Sequence, residues 1–247
     1  MTGVAPKSIR ACWREIQSDS RLLDGLATQA LLAEEGDSTS SLGASIRSSS
    51  LVGRVLSKWR FSPANAELYS LVRALRPSIA VETGVASGVS TTLILRALER
   101  NGRGELFSVD LPSYEKTGYV NLDGQLDHVH LPGTKAPGWL VPNRLRSSWE
   151  LNIGSSTDLL GPLLARLGRV DFFFHDSDHS YDVMMLEFKS AWRAMSSGSV
   201  LYSDDISWNA AFRDFSTEIR TNGIAGVTPV GRGIIRKVNA DDDTHRL

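Results

Sequence analysis

Carboxylates are concentrated at two points in the second half of the chain, each directly after a short apolar run. The two groups read, in chain order, His175-Asp176-Ser177-Asp178-His179 and Ser203-Asp204-Asp205. If the apolar runs are neighbouring parallel strands, their carboxyl ends meet and four carboxylates converge at one edge of a sheet. Carboxylates that lie close together resist ionisation, and a divalent cation such as Mg²⁺, Ca²⁺ or Mn²⁺ is the simplest remedy. Alternatively, some of these acids are helix caps: Asp178 or Ser180 could cap the next helix, and Asp205 or Asn209 the one after it.

A glycine-containing turn earlier in the chain is a second candidate site. Glu82 follows an apolar run, a Gly-x-x-x-Gly segment starts at Gly84, and a helix begins near Ser90. Glycine allows a tight turn and close approach to a ligand, and the start of a helix offers unpaired N–H groups. Ala86 stands where a dinucleotide-binding loop has its second glycine. The turn is therefore either a plain structural turn or a site where Glu82 receives a cationic or hydroxyl-bearing group.

Two further polar positions follow later apolar runs. Asp110 lies 26 positions after Gly84, where a carboxylate can accept hydrogen bonds from both ribose hydroxyls of a nucleoside. The small residues from Gly154 to Ser156 leave room for an adenine ring, whose edge Ser156 could contact. The alternatives are a plain turn at Asp110 and a helix cap at Ser155 or Ser156.

The pattern of apolar residues divides the chain into an extension and one main domain. Residues 1–60 read as a helical N-terminal extension with a serine-rich linker. Residues 61–240 alternate short apolar strands with helices, which predicts an α/β domain with a mostly parallel sheet covered on both faces. Within it, 111–148 is an irregular insertion that could be a lid or wall over a site or only a packed surface loop. A hairpin is predicted around Gly231. Residues 241–247 are an acidic tail.

The composition of the chain argues against two classes of binding partner, nucleic acids and membranes. The 247 residues carry 27 Lys and Arg against 28 Asp and Glu, a net charge of −1, which gives no electrostatic footprint for nucleic acid. A single cysteine, Cys12, favours the reducing cytoplasm. No apolar stretch approaches the roughly 20 residues of a membrane helix, so we expect a soluble protein. The amphipathic N-terminal helices could pack on a second copy of the chain.

Taken together, these motifs resemble class I S-adenosylmethionine-dependent methyltransferases. More narrowly, the chain is similar to the family of macrocin and novobiocin O-methyltransferases and cephalosporin hydroxylase-like proteins. The resemblance spans about residues 60–237. It rests on Val81-Glu82-Thr83-Gly84-Val85-Ala86-Ser87-Gly88-Val89-Ser90-Thr91, Asp110, Gly154-Ser155-Ser156, Asp176-Ser177-Asp178-His179-Ser180-Tyr181 and Asp204-Asp205. It implies a Rossmann-like seven-stranded sheet with a reversed last strand and helices on both faces.

The resemblance also implies how S-adenosylmethionine (SAM) is bound. It assigns the methionine part of the cofactor to four residues of the glycine turn: Glu82, Gly84, Ala86 and Ser90. It assigns the ribose to Asp110 and the adenine edge to Ser156, and it places Asp176 against the cofactor as well.

A metal site and a base are further implications of the resemblance. Catechol-type methyltransferases bind Mg²⁺ through one acid after the fourth strand and two adjacent residues after the fifth, which Asp176, Asp204 and Asp205 match. The base lies two or three positions past the first ligand, which means Asp178 or His179. We prefer His179, because an unperturbed imidazole titrates near working pH. The implied activity is methyl transfer to a small-molecule or sugar hydroxyl, assisted by Mg²⁺ or Mn²⁺.

Two other functions remain open at this point. Asp176-Ser177-Asp178 after an apolar strand resembles the metal-binding Asp-x-Asp of glycosyltransferases, which however lack the upstream Glu-x-Gly-x-x-x-Gly turn. The chain could also be a catalytically inactive protein that retains the cofactor fold.

Overall fold

The computed structural model describes residues 9–19, 63–114, 119–127, 131, 133 and 135–239. The predicted N-terminal extension beyond residue 19, with its serine-rich linker, and the acidic tail lie outside the described residues. The described helices are α1 Ile9–Ser18, α2 Pro63–Leu75, α3 Val89–Asn101, α4 Ser156–Leu167, α5 Tyr181–Ala194 and α6 Ala211–Glu218, with a 3₁₀ helix at Asn143–Ser148. The strands are β1 Ile79–Thr83, β2 Glu105–Asp110, β3 Tyr119–Val120, β4 Leu126–Asp127, β5 Trp149–Ile153, β6 Val170–His175, β7 Met195–Ser203, β8 Gly223–Val227 and β9 Gly233–Lys237.

Seven of the described strands form one sheet in the order β5-β2-β1-β6-β7-β9-β8. Neighbouring strands are parallel from β5 through β7, whereas β9 runs antiparallel to both β7 and β8. The predicted seven-stranded sheet with a reversed last strand is confirmed. The hairpin expected around Gly231 is also confirmed, because β8 and β9 pair across that residue.

Each central strand is apolar on both faces because helices cover the sheet on both sides. Ala80 of β1 packs into a core with residues of α2 and α3. Its neighbour Val81 points to the opposite face and packs with residues of α4, α5 and α6. This alternation explains why the strands read as continuous apolar runs.

The point where the chain reverses its direction of strand addition lies between β1 and β6. From β1 the sheet grows through β2 to β5 on one side, and from β6 to β7 on the other. Thr83, His175 and Ser203 lie level with one another at the carboxyl ends of β1, β6 and β7. A crevice at such a switch point is where open α/β sheets bind ligands. The motif-bearing loops therefore meet at this edge.

The N-terminal helix α1 packs on α2 through a polar contact centred on Glu15. Its carboxylate accepts hydrogen bonds from the Tyr69 hydroxyl (2.6 Å) and from two nitrogens of Arg73 (3.1 and 3.0 Å). This face of α1 is thus used within the chain. No helix in the described part is long and apolar enough to cross a membrane.

Candidate active site

Asp110, at the carboxyl end of β2, shapes the glycine turn. Its Oδ1 accepts hydrogen bonds from the backbone N–H of Val85 (2.7 Å) and of Ala86 (3.2 Å), and Ala86 has a left-handed φ of 44°. Its Oδ2 is buried and has no hydrogen-bond partner among the described residues. Burial raises the pKa of Asp110, although the two N–H groups oppose the shift. One oxygen therefore builds the turn, and the other is an acceptor without a donor.

Gly84 is needed for the approach of two loops. It has φ 82°, and a Cβ at this position would lie 1.9 Å from the backbone oxygen of Asp176. The backbone N–H of Asp176 in turn donates to the Thr83 carbonyl (2.9 Å). A side chain at position 84 would therefore collide with the protein itself before it met any ligand.

Glu82 lies beneath the turn rather than on its surface. It is fully buried, and its Oε1 accepts a hydrogen bond from Ser90 Oγ (2.8 Å). Its Oε2 accepts from Thr91 Oγ1 and Ser108 Oγ, both at 2.8 Å. Burial raises the pKa of Glu82 to about 7, against the effect of these three hydroxyls. In this arrangement Glu82 ties β1 to the start of α3; its contact with a cofactor stays a prediction.

Ser155 and Ser156 lie at the start of α4, and the sequence left open which of them caps the helix and whether Ser156 contacts adenine. Ser155 is the N-cap, and its Oγ accepts a hydrogen bond from the Thr157 N–H (3.2 Å). Ser156 is buried, and its hydroxyl hydrogen-bonds the carboxylate of Glu187. The capping role therefore falls to Ser155, and the adenine contact of Ser156 stays a prediction.

Glu187 of α5 is a functional candidate that the sequence reasoning missed. It is fully buried; its Oε2 accepts from Thr83 Oγ1 (2.5 Å) and lies 2.7 Å from His175 Nδ1. Its Oε1 accepts from Ser177 Oγ (2.7 Å). Although burial alone would raise it, the pKa of Glu187 is lowered by His175 and by the hydroxyl donors.

A signal for this residue was present in the sequence. Glu187 lies one turn after Met184 and one turn before Ala191, on the apolar face of a predicted helix. An acid on a core-facing helix position requires buried partners. The partners come from β1, β6 and the loop after β6, so Glu187 connects the strand ends that form the crevice.

His179 lies between two of the predicted site carboxylates. Its Nε2 is 3.8 Å from Asp176 Oδ1 and 3.7 Å from Asp205 Oδ2, and its side chain is only 5% exposed. The ring packs against Trp208 and against His175, with centroids 5.1 and 5.3 Å away. The structure thus brings Asp176, His179 and Asp205 together, as the sequence predicted.

Asp178 has a different role from its neighbour. Its Oδ1 accepts a hydrogen bond from the backbone N–H of Ser180 (2.8 Å), in the turn that leads into α5. This contact is an Asx turn rather than a helix cap, because Ser180 is the N-cap of α5 and has no side-chain capping hydrogen bond. A role of Asp178 as the base stays a prediction. Between the two candidate bases, His179 is the one that lies between Asp176 and Asp205.

Asp204 forms an ion pair with an arginine of the same chain. Its Oδ2 pairs with the guanidinium of Arg232, and its Oδ1 accepts from the Asp205 backbone N–H (3.0 Å). In the part of the chain that the structure describes, no group of three or more His, Cys, Asp or Glu side chains is placed to hold a metal ion. The expectation that unpaired carboxylates converge here is wrong for Asp204, because a guanidinium occupies one of its oxygens. As arranged, these residues do not fit the implied metal-ligand set.

The Asp176 side chain is partly buried and lies close to other carboxylates. Loss of hydration, and next the Asp204 carboxylate, raise the pKa of Asp176 well above its usual range. His179 and Arg232 act in the opposite direction. The protonation of Asp176 therefore depends on the charges of its neighbours.

The two halves of the insertion contact different parts of the site. Gly138 N–H donates to the Ala86 carbonyl (2.8 Å) and Leu140 N–H to the Ser87 carbonyl (3.0 Å), so the later half packs on the glycine turn. In the earlier half, the β3–β4 hairpin spans residues 119–127. Asp123 accepts from Tyr181 N–H (2.7 Å) at the start of α5, next to His179.

A second contact fixes the hairpin to the same edge. Gln125 Nε2 donates to the carbonyl of Trp208 (2.9 Å), whose ring lies against His179. Three side chains of the hairpin are exposed and apolar: Val120, Leu122 and Leu126. The hairpin therefore borders the edge that holds His179 and presents apolar surface there.

Comparison with known families decides the class of protein. The family described as a methyltransferase domain matches residues 81–206, just over half of the chain, including the glycine turn and both acidic loops. The chain belongs to this methyltransferase family. Membership overturns the glycosyltransferase alternative, which also loses support because Asp178 of the Asp-x-Asp segment shapes a turn.

Solved structures resemble the methyltransferase at low sequence identity. A methyltransferase from the mycinamycin biosynthetic pathway, in complex with Mg, S-adenosylhomocysteine (SAH) and mycinamycin VI, is 12% identical with a TM-score of 0.50; the match covers 76% of this chain and 52% of that one. An SAH-bound methyltransferase from Podospora anserina is 14% identical, with a TM-score of 0.49 and coverages of 71% and 78%.

An O-methyltransferase from Streptomyces achromogenes involved in tomaymycin synthesis, in complex with SAM, is 17% identical, with a TM-score of 0.48 and coverages of 72% and 81%. Among these three, the mycinamycin-pathway enzyme supports a shared fold with the methyltransferase. A comparison with curated proteins finds no match.

Proposed function

We propose that this methyltransferase transfers a methyl group from SAM to a hydroxyl oxygen of a small molecule. The observation that carries the proposal is the position of His179, buried between Asp176 and Asp205 at the switch-point edge, beside the glycine turn. An imidazole between carboxylates is suited to accept a proton from an alcohol or a phenol. The methyltransferase family that matches residues 81–206 supports methyl transfer as the reaction.

Asp110 supports the choice of cofactor. Its Oδ2 is a buried acceptor with no donor among the described residues, and a ribose hydroxyl would supply that donor. When bound, SAM supplies an electrophilic methyl group on a sulfonium. Ser156 and the glycine turn are the proposed neighbours of the adenine and of the methionine part.

The chain's own task is then to orient the acceptor and to remove its proton. A neutral alcohol is a weak nucleophile at neutral pH, so a base near its oxygen increases the rate. In the proposal, His179 Nε2 would accept the hydroxyl proton as the O–C bond forms and the S–CH₃ bond of SAM breaks, with SAH as the neutral leaving group. Asp176 and Asp205 stabilise the positive charge that the imidazole gains.

Two parts of the hypothesis stay predictions, and metal assistance is not part of the proposed function. The described carboxylates do not fit the ligand set for Mg²⁺ or Mn²⁺, and chelation of the purified enzyme should therefore leave turnover unchanged. Self-association through the N-terminal helices is tested by light scattering. A cytoplasmic location is tested by fractionation of the native host.

Cofactor binding is tested first. We expect SAH to raise the Tm and a nucleoside diphosphate to leave it unchanged. Asp110→Asn should weaken SAH binding in calorimetry by about 1–3 kcal/mol, the scale of a lost hydrogen bond to a charged group. Asp158→Asn, an exposed acid in α4, is the matched control and should bind SAH like the wild type. Equal affinities in all three proteins would exclude the assignment of Asp110.

Chemistry is tested by a screen of glycoside and catechol acceptors with SAM. With an accepted substrate, His179→Gln should lower turnover by roughly 10²–10⁴-fold, the usual contribution of a general base, with SAH affinity retained. Unchanged turnover would refute the assignment of the base. If SAH binds but no acceptor is methylated, the inactive cofactor-binding alternative gains support.

A further inference from the structure

Arg232 lies at the start of β9, in contact with the acidic edge. It is 7% exposed, and its guanidinium pairs with Asp204, which the resemblance names as a metal ligand. Strand β9 is antiparallel to β7, and Gly233 pairs with Ser203, the residue directly before Asp204. The reversed strand therefore delivers a cation to the carboxyl end of β7.

Other contacts fix the guanidinium in this position. Its Nη1 donates to the Ala64 carbonyl at the start of α2 (3.0 Å). The guanidinium carbon lies 5.4 Å from the ring centre of Phe174 and 5.5 Å from that of Tyr202. Although burial lowers it, the hydrogen bond to Asp204 raises the pKa of Arg232 above its usual value. Two strands and one helix hold this charge, so it is part of the fold rather than a surface ion pair.

We infer that Arg232 takes the place of the divalent ion as the permanent counter-ion of the acidic edge, so that Asp176, Asp204 and Asp205 do not form a metal site in this chain. Arg232 pairs with one oxygen of Asp204 and the Asp205 N–H donates to the other, so donors of the protein itself already compensate this carboxylate. A metal would also have to enter next to a fixed guanidinium, and two cations at one carboxylate repel each other. The inference rests on the geometry of this edge and deepens the proposed function by assigning its counter-ion.

Mn²⁺ binding to the full-length protein, without acceptor, tests the inference. Electron paramagnetic resonance measures free Mn²⁺ directly, and we expect no site with a dissociation constant in the micromolar range in the wild type. Arg232→Met removes the cation and keeps an apolar stem, and it should raise Mn²⁺ affinity at least about tenfold because Asp204 Oδ2 loses its partner and becomes available. Arg236→Met, an exposed arginine on the same strand, is the matched control and should leave Mn²⁺ affinity unchanged.

The wild-type measurement decides the question even if Arg232→Met does not fold. One stoichiometric, micromolar Mn²⁺ site in the wild type that is lost in Asp204→Asn would overturn the inference. Equal, weak Mn²⁺ affinity in the wild type and in a folded Arg232→Met protein would also contradict it, since the guanidinium would then not be what keeps the ion away. SAH calorimetry on the same samples tests the proposed function separately, because SAH binding is measured without any metal.

Discussion

His175 Nδ1 lies 2.7 Å from Glu187 Oε2, and neither side chain is exposed to solvent. The pair joins the carboxyl end of β6 to the buried face of α5, and Glu187 also accepts hydroxyl donors from Thr83 and Ser177. Because the ring of His175 packs against that of His179, the pair also supports the wall of the proposed catalytic edge. A single buried carboxylate thus holds together loops that are far apart in the sequence.

Replacement of Glu187 should destabilise the protein strongly. Glu187→Gln removes the negative charge and replaces one of the two acceptor oxygens by an NH₂ donor, so donors that now meet Oε1 and Oε2 compete for one oxygen. We expect a loss of about 3 kcal/mol in the free energy of unfolding at pH 7. Urea unfolding measures it. Glu218→Gln, which removes a surface ion pair with Lys189, is the control and should change stability by less than about 1 kcal/mol.

The same residue gives a pH dependence of known sign. The folded-state pKa of Glu187 is lowered, so its stabilising contribution is present above the unfolded value near 4.5 and is lost as pH falls through the folded value. The stability difference between wild type and Glu187→Gln should therefore shrink below about pH 4.5. A difference that stays constant from pH 7 to acid would contradict the assigned ionisation.

Glu82 should act in the opposite sense. Its pKa is raised to about 7 in the folded protein, so its contribution to stability is fully present below the unfolded value near 4.5 and is lost as pH rises through 7. Relative to Glu82→Gln, the wild type should lose about 3 kcal/mol across this window, at 1.36 kcal/mol per pKa unit. Chemical denaturation at a series of pH values measures the difference, and parallel profiles would disprove the shift.

Gly84 should be intolerant of any side chain for reasons of folding. An added Cβ meets the backbone of Asp176, whereas at Gly102, which has a similar positive φ, it meets nothing within 4 Å. Both substitutions by alanine carry the cost of a left-handed residue, about 1–2 kcal/mol. Gly84→Ala should cost at least about 2 kcal/mol more than Gly102→Ala in thermal or urea unfolding, the scale of a forced backbone shift in a packed region. Equal costs would show that the loop can move aside.

The insertion should separate into two functional parts. Replacing the hairpin 119–127 by a short Gly-Ser link should abolish turnover of an accepted substrate and spare SAH binding, because the hairpin contacts the edge at Tyr181 and Trp208. Replacing Gly138 by Val should weaken SAH binding, because the added side chain would collide with Trp149 and displace the backbone that hydrogen-bonds the glycine turn. SAH calorimetry and methyl-transfer assays on both proteins distinguish the parts; equal loss of both activities in the hairpin variant would mean that the hairpin is only structural.

The order of strands and helices in the main domain could be predicted from the sequence alone. The apolar run before His175 is buried on both faces of the sheet. Burial on both faces needs consecutive apolar residues, and such runs can be recognised from the sequence. The reversal at Gly231 and the end of α3 at Gly102 are likewise local, since glycine permits the left-handed conformations found there. Strand ends were therefore located correctly, and with them Asp110, Asp176, His179 and Asp205.

Only the tertiary structure decided the partners of those residues. Arg232 meets Asp204 because β9 is antiparallel to β7, and Glu187 meets His175 because α5 lays that face on β6. Local pattern indicates that a carboxylate follows a strand, but the charge that neutralises it can come from any distance along the chain. The sheet order determines which distant residues meet, and so it determines which acids at this edge are paired with a cation.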